Sequence, residues 1–227
     1  MEVPYHPLKT EIDEYLQQFI GKELVIKANL GQDESTIDGN DAIGNILEEV
    51  IGNLLAKKFD DLAAGESNQP PDIFDERNDW HIEIKVFKSS NGPGFDVYDI
   101  PKFFGSKEKD DWLSRAIHKT DYLIFEYEIA DEKRTLKSLS HKKLHEIIGY
   151  DQTHPITVQY SKKAYKKIRP SSASTWGDRS KTPEKFIKYF KEFVRILPTD
   201  LTGRKRKLKN RIDLLFNNLK EELSREE

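Results

Sequence analysis

Residues 71–87 read Pro71-Asp72-Ile73-Phe74-Asp75-Glu76-Arg77-Asn78-Asp79-Trp80-His81-Ile82-Glu83-Ile84-Lys85-Val86-Phe87. From His81 to Phe87 the pattern alternates as a strand requires. Ile82, Ile84 and Val86 face one way, and Glu83 and Lys85 face the other. The apolar side is fit for a core. An acid and an amine side by side on such a strand are costly unless they meet partners. A divalent cation and a phosphate have the charges to be those partners. Asp72 stands ten residues before Glu83, which is enough for a turn or a second strand to bring it back beside Glu83. Two carboxylates so placed repel each other, and a hard cation relieves the repulsion. Asp75 and Asp79 lie nearer to Glu83 and are alternatives, although Ile73 continues an apolar pattern after Asp72.

An ion held there lowers the pKa of a bound water and binds a phosphate oxygen. Lys85 then orients or helps deprotonate the attacking water and offsets charge developing on the phosphate. The preceding segment adds a third acid. Ile43, Ile46, Leu47, Val50, Leu54 and Phe59 recur at helical spacing over residues 41–59. Gly44, Glu48 and Gly52 are spaced by four and lie in one row of that helix. Glycine within a helix costs up to ~1 kcal/mol relative to alanine, so two of them around Glu48 suggest the close approach of a backbone or a ligand.

Pro71-Asp72, ten residues, then Glu83-Ile84-Lys85 resembles the motif of the PD-(D/E)XK nuclease superfamily, which includes most type II restriction endonucleases. The proline before Asp72 matches that motif and favours Asp72 over Asp75 and Asp79. The resemblance implies hydrolysis of double-stranded DNA at a specific short sequence, with Mg²⁺ as cofactor and Mn²⁺ as its substitute. It implies 5′-phosphate and 3′-hydroxyl ends. It assigns the metal to Asp72 and Glu83 and assistance of the nucleophile to Lys85. Gly44 to Glu49 looks like the helix that donates a further active-site glutamate in several restriction enzymes and in mismatch-repair nicking endonucleases. That role falls to Glu48, with Glu49 as the neighbouring alternative.

Working outward, an opening helix is expected around residues 9–20, and a short strand over 23–28. A polar linker spans 61–79, since Pro70 and Pro71 cannot continue a helix. Further strands are expected at 121–129 and 156–160. Helices are expected at 112–119 and 183–197, and a helical stretch within 138–148. The fold class is α/β, a central mixed β-sheet flanked by helices in the manner of restriction endonucleases. One endonuclease domain spans 1–227, with a catalytic core of about 40–200. A last helix at about 205–225 carries Ile212, Leu215, Phe216, Leu219 and Leu223, for core closure or for a dimer contact.

Composition narrows the remaining classes. The chain has no cysteine, which removes disulfides, thiolate metal sites and cysteine nucleophiles. A net charge of -3 argues against a uniformly basic nucleic-acid binder, yet the charge is segregated. Lys162, Lys163, Lys166, Lys167 and Arg169 form a basic run suited to phosphates. Polar loops at 88–98 and 169–181 offer Lys88, Ser89, Ser90, Asn91, Arg179 and Lys181 as further DNA contacts. His145-Glu146 begins a zinc-protease pattern that Gly149 breaks. The N-terminus lacks the pattern of a secretory signal, and no segment reaches the ~20 apolar residues of a membrane span, so a cytoplasmic protein with no membrane association is expected. Double-stranded DNA and a second copy of the chain, as a homodimer, are the expected partners. A repair or junction nicking endonuclease of the same superfamily is the alternative, and a catalytically inactive DNA-binding module is the alternative of another class.

Overall fold

In the computed structural model of the protein, residues 80–88 form the strand that their alternation specifies. The described residues are 3–25, 27–30, 33–36, 40–65, 71–99, 112–131, 133–150, 155–161 and 164–196. In chain order the elements are α1 (Lys9–Gln17), β1 (Lys27–Leu30), β2 (Asp33–Thr36), α2 (Asn40–Lys58), β3 (Ala63–Ala64), β4 (Ile73–Asp75), β5 (Trp80–Lys88), β6 (Tyr98–Asp99), α3 (Trp112–His118), β7 (Thr120–Ala130), β8 (Lys133–Lys142), α4 (Leu144–Ile147), β9 (Val158–Ser161), β10 (Ala164–Ile168) and α5 (Pro183–Ile196). They fall into two contact units. The first comprises Tyr5–Pro93 and Lys119–Lys143, and the second gathers described residues within Met1–Pro4, Gly94–His118 and Leu144–Glu227.

The first unit is built on a five-stranded sheet in the order β3-β4-β5-β7-β8. β5 runs parallel to β7, whereas β4 and β8 are antiparallel to their neighbours, so the sheet is mixed. One face buries Ile73, Ile82, Ile84, Leu123, Phe125 and Leu136 against Ile12 and Leu16 of α1 and Leu47, Ile51 and Leu55 of α2. The α2 residues recur every four positions, which aligns them in one stripe. Burying each such side chain contributes ~1.5–3 kcal/mol relative to exposure. That burial sets the register, because a slip of one residue would drive Glu83 and Lys85 into the core.

Residues 61–79, expected as a linker, contain two short strands. β4 and β5 form a hairpin whose turn is held by Asp75, which accepts from the Asn78 amide at 3.0 Å and from Asn78 Nδ2 at 2.7 Å. Asp79 completes the turn at φ 50°, a left-handed conformation that aspartate tolerates. The helical reading of 138–148 is corrected: residues up to Lys142 continue β8, and only Leu144–Ile147 is helical. Pairing with β7 from Tyr122↔Lys142 to Ala130↔Lys133 overrides the local preference. The expected strand at 23–28 is an isolated bridge at Glu23 followed by the β1–β2 hairpin.

In the second unit β6, β10 and β9 form an antiparallel sheet in that order. α5 presents Phe186, Phe190, Phe193 and Val194 as a buried stripe. The expected C-terminal helix and its Ile212, Leu215, Phe216, Leu219 and Leu223 lie outside the described residues. Among the described residues no helix is long and apolar enough to cross a membrane.

Candidate active site

The hairpin register decides where Asp72 goes. Ile73 faces Ile82 across the β4–β5 pair, so one step further Asp72 comes level with Glu83. The Ile84 amide donates to Asp72 Oδ2 at 2.6 Å, and Lys85 Nζ lies 3.4 Å from the same oxygen. Lys85 Nζ is also 3.2 Å from Glu83 Oε2 and donates to the Ile84 carbonyl at 2.8 Å. Thus two carboxylates and one main-chain oxygen converge on a single ammonium. The three side chains are largely but not fully covered, with exposures of 25% for Asp72, 17% for Glu83 and 14% for Lys85.

The alternatives for the aspartate lie elsewhere. Asp75 is fully buried and is held by Asn78 and by His6 Nε2 at 2.8 Å. Asp79 sits at the exposed turn.

Burial pushes the Glu83 carboxyl above its usual range and Asp72 adds to the rise, against the pull of Lys85. Burial would lower the Lys85 ammonium, but Glu83, Asp72 and Glu48 outweigh it, and its pKa is raised. Glu48 projects from α2 into the field of the same three groups. Burial pushes it up to about 7, with Asp72 and Glu83 adding to the rise and Lys85 opposing it. Glu49, its neighbour, is exposed.

The glycine row behaves unevenly. A Cβ on Gly52 would meet Asp72 O at 3.6 Å, an ordinary contact, so α2 does lie against the Asp72 backbone. Among the described residues a Cβ on Gly44 would meet nothing within 4 Å, so no close approach among them accounts for that glycine. The close approach that sequence reasoning missed is at Gly65. Its amide donates to Asp72 O at 2.8 Å, and a Cβ there would fall 1.9 Å from Pro71 O.

The expected DNA contacts are placed as follows. Lys88 ends the strand that bears Lys85, and Ser89, Ser90 and Asn91 follow it in a short 3-10 turn. Ser89 Oγ donates to Tyr127 O at 3.1 Å, and Ser90 and Asn91 are exposed. In the second unit Lys167 and Arg169 both meet the Asp96 carboxylate. Lys166 lies on β10, and Lys162 and Lys163 lie outside the described residues. Arg179 is exposed. Lys181 is buried, and its ammonium donates to Glu146 O, Ser171 Oγ and Thr175 Oγ1 at 3.0, 2.7 and 3.1 Å, which fixes the loop before α5. Burial lowers its pKa to about 8.

A buried polar network in the first unit had no sequence signal, because its partners are far apart in the chain. The His6 amide donates to Asp121 Oδ2 at 2.8 Å across a separation of 115 residues. His141 bridges Asp121 Oδ2 at 3.0 Å and Asp13 Oδ1 at 2.6 Å, and Lys143 pairs with Asp121 Oδ1 at 2.5 Å. The network ties the N-terminal segment to the sheet.

The chain is similar to known proteins in sequence and in fold. A family model described as NgoBV restriction endonuclease matches residues 8–211. The type II restriction enzyme NlaIV of Neisseria lactamica is 27% identical over 203 residues, covering 82% of this chain and 79% of its own length. The type II restriction enzyme NgoBV of Neisseria gonorrhoeae is 26% identical over 106 residues, covering 42% of this chain and 61% of its own. Among solved structures, an NlaIV restriction endonuclease superposes with a TM-score of 0.68 at 26% identity, covering 92% of this chain and 89% of that one. With its mixed sheet and the extent of these matches, the chain belongs to the NgoBV restriction endonuclease family and is a type II restriction endonuclease, a site-specific deoxyribonuclease of double-stranded DNA.

Proposed function

We propose that this endonuclease hydrolyses DNA with Mg²⁺ held at Asp72 and Glu83, Mn²⁺ substituting, and leaves 5′-phosphate and 3′-hydroxyl ends. The observation that carries the reading is the convergence of Asp72 Oδ2, Glu83 Oε2 and Ile84 O on Lys85 Nζ. These hard oxygens, two of them anionic, already surround a positive charge. Among the described residues no three acidic or histidine side chains form a metal site by themselves. Magnesium suits the set nonetheless, since it is commonly held by one or two carboxylates and keeps several waters. When bound, the ion supplies an activated water and a Lewis acid for the phosphate.

The protein's own groups divide the remaining work. Lys85 is held protonated by its acidic neighbours, so it acts as a cation that orients the attacking water and stabilises charge on the phosphate. The Ile84 amide donates to Asp72 Oδ2 and orients that carboxylate towards Glu83 and Lys85. Glu48, with a pKa near neutrality, is the carboxyl of the set able to hold or give up a proton at working pH. Lys88, Ser89, Ser90, Asn91, Lys162, Lys163, Lys166, Lys167, Arg169 and Arg179 supply backbone and groove contacts, and Lys181 holds the loop that bears Arg179. The chain works as one endonuclease domain in the cytoplasm, as a homodimer whose two-fold symmetry matches a palindromic site.

The test is digestion of a sequenced plasmid with Mg²⁺ and mapping of the ends. Discrete double-strand fragments with 5′-phosphates are expected. Asp72→Ala and Lys85→Ala are expected to abolish cleavage while DNA binding persists, and full activity in either variant rejects the assignment.

A further inference from the structure

The hairpin of β9 and β10 carries one of the chain's basic runs, and its register arranges the polar side chains. Gln159 pairs across from Lys167. Arg169 stands two residues beyond Lys167 and shares its face. Both cations meet Asp96: Arg169 Nη1 lies 2.9 Å from Oδ1, and Lys167 makes a close ion pair with Oδ2. Arg169 Nη1 also donates to Gly94 O, and Arg169 Nη2 donates to Gln159 Oε1 at 3.2 Å. The guanidinium is thus held by three partners while 27% of the side chain remains exposed.

This arrangement has a definite chemical polarity. A guanidinium has five N–H donors and no acceptor, so the group that Gln159 turns to it is the carbonyl oxygen. The Gln159 NH₂ is then the end left to face outward. Asp96, the nearby acceptor, is taken by two cations. The Arg169–Gln159 pair therefore offers donors and withholds acceptors. In the major groove guanine presents two acceptors, O6 and N7, whereas adenine and cytosine each present an amino donor and thymine a single acceptor. β6 joins the β9–β10 hairpin only at Lys167 and Ile168, which leaves the rest of it a two-stranded antiparallel ribbon, one of the elements that fit that groove. Because Asp96 and Gly94 O already fix the guanidinium, little rotamer freedom is lost on contact.

We propose that Arg169 and Gln159 together read one guanine of the target duplex, an inference that rests on the nuclease reading above. Arg169 contacts O6 and N7, and the Gln159 amide adds a donor that excludes adenine. Gln159 is thereby a specificity-determining residue, and Asp96 is the buttress that aims Arg169.

The test uses the full-length protein with Ca²⁺ in place of Mg²⁺. The mapped cleavage site is built into a short duplex, and each guanine in turn is replaced by 7-deazaguanine, which pairs normally but lacks N7. Binding is followed by fluorescence anisotropy for the wild type, Arg169→Lys and Gln159→Glu. At one guanine and its symmetry mate, loss of N7 should weaken wild-type binding about 10-fold or more. Arg169→Lys should bind the normal duplex more weakly and show that penalty reduced to about threefold or less. Gln159→Glu keeps an acceptor towards Arg169 and removes the donors, so its preference for the cognate duplex over one with adenine at that position should fall about 10-fold. An unchanged 7-deazaguanine profile in an Arg169→Lys protein that melts like the wild type overturns the proposal. An unchanged guanine-to-adenine ratio in Gln159→Glu overturns it independently, and this variant carries the test if Arg169→Lys misfolds. Absence of discrete plasmid fragments with the wild type is a different result, which sinks the nuclease reading and this inference with it.

Discussion

The backbone amide of Ile84 donates to Asp72 Oδ2 at 2.6 Å, so the strand that bears Glu83 and Lys85 also fixes the aspartate opposite them. Asp72→Asn retains an oxygen for that amide but loses the charge. Its stability in urea should stay within about 0.5 kcal/mol of the wild type, while plasmid cleavage should fall at least about 10²-fold. Asp72→Ala loses the hydrogen bond as well and should cost a further ~1 kcal/mol of stability. Cleavage by Asp72→Asn at the wild-type rate would remove this carboxylate from the mechanism.

Lys85 separates two negative groups, 3.4 Å from one and 3.2 Å from the other. Lys85→Met leaves Asp72 and Glu83 facing each other without a counter-charge. Metal-free protein should lose about 1–3 kcal/mol at pH 8, less than for a fully buried pair because Asp72 is a quarter exposed. Added Mg²⁺ should raise the melting temperature of this variant more than that of the wild type. Equal shifts in the two proteins would contradict a shared cation site.

Two glycines around Asp72 should respond in opposite ways. At Gly65 a Cβ would lie 1.9 Å from Pro71 O, so Gly65→Ala must displace the backbone leading to Asp72. A loss of ~1–3 kcal/mol, typical of overpacking, is expected together with reduced cleavage. At Gly52 the nearest atom would be 3.6 Å away, so Gly52→Ala should be neutral or stabilising by up to ~1 kcal/mol through helix propensity. Thermal melts of both variants decide it.

His141 lies between Asp121 and Asp13, with Lys143 and His6 bonded to Asp121 and Tyr5 edge-on to its ring. Burial pulls its pKa down, but the two carboxylates outweigh that and raise it above the ordinary imidazole value. A raised folded value means that the charge stabilises fully below about 6.5. That contribution is lost as pH rises through the folded value. His141→Gln should therefore lie further below the wild type at pH 6, by ~1–3 kcal/mol, than at pH 9. Urea titrations giving the same gap at both pH values would show that the imidazole is neutral throughout.

The central strand was legible because one face of β5 is apolar and the other is not, and period-two alternation over Ile82, Ile84 and Val86 has no helical reading. The α2 stripe was legible for the analogous reason. Asp72 stood out by its motif alone, since β4 has only three residues and no pattern of its own. The end of β8 misled because Ser138 to Lys142 is polar but for Leu139, and only the ladder to β7 reveals it as strand. Gly65, the Ile84 carbonyl and the His6–Asp121 contact carry no local signature at all. They arise from backbone positions and from chain separations that a single sequence does not display.

β5 is laddered to β7 along nearly its whole length but to β4 over only three residues. In mechanical terms the acidic pair sits in a vice with one fixed jaw and one sprung jaw. Glu83 cannot retreat without tearing an interior ladder, whereas Asp72 rides on a short hairpin backed by Gly65. Any adjustment of the gap between the two carboxylates is therefore taken up on the Asp72 side.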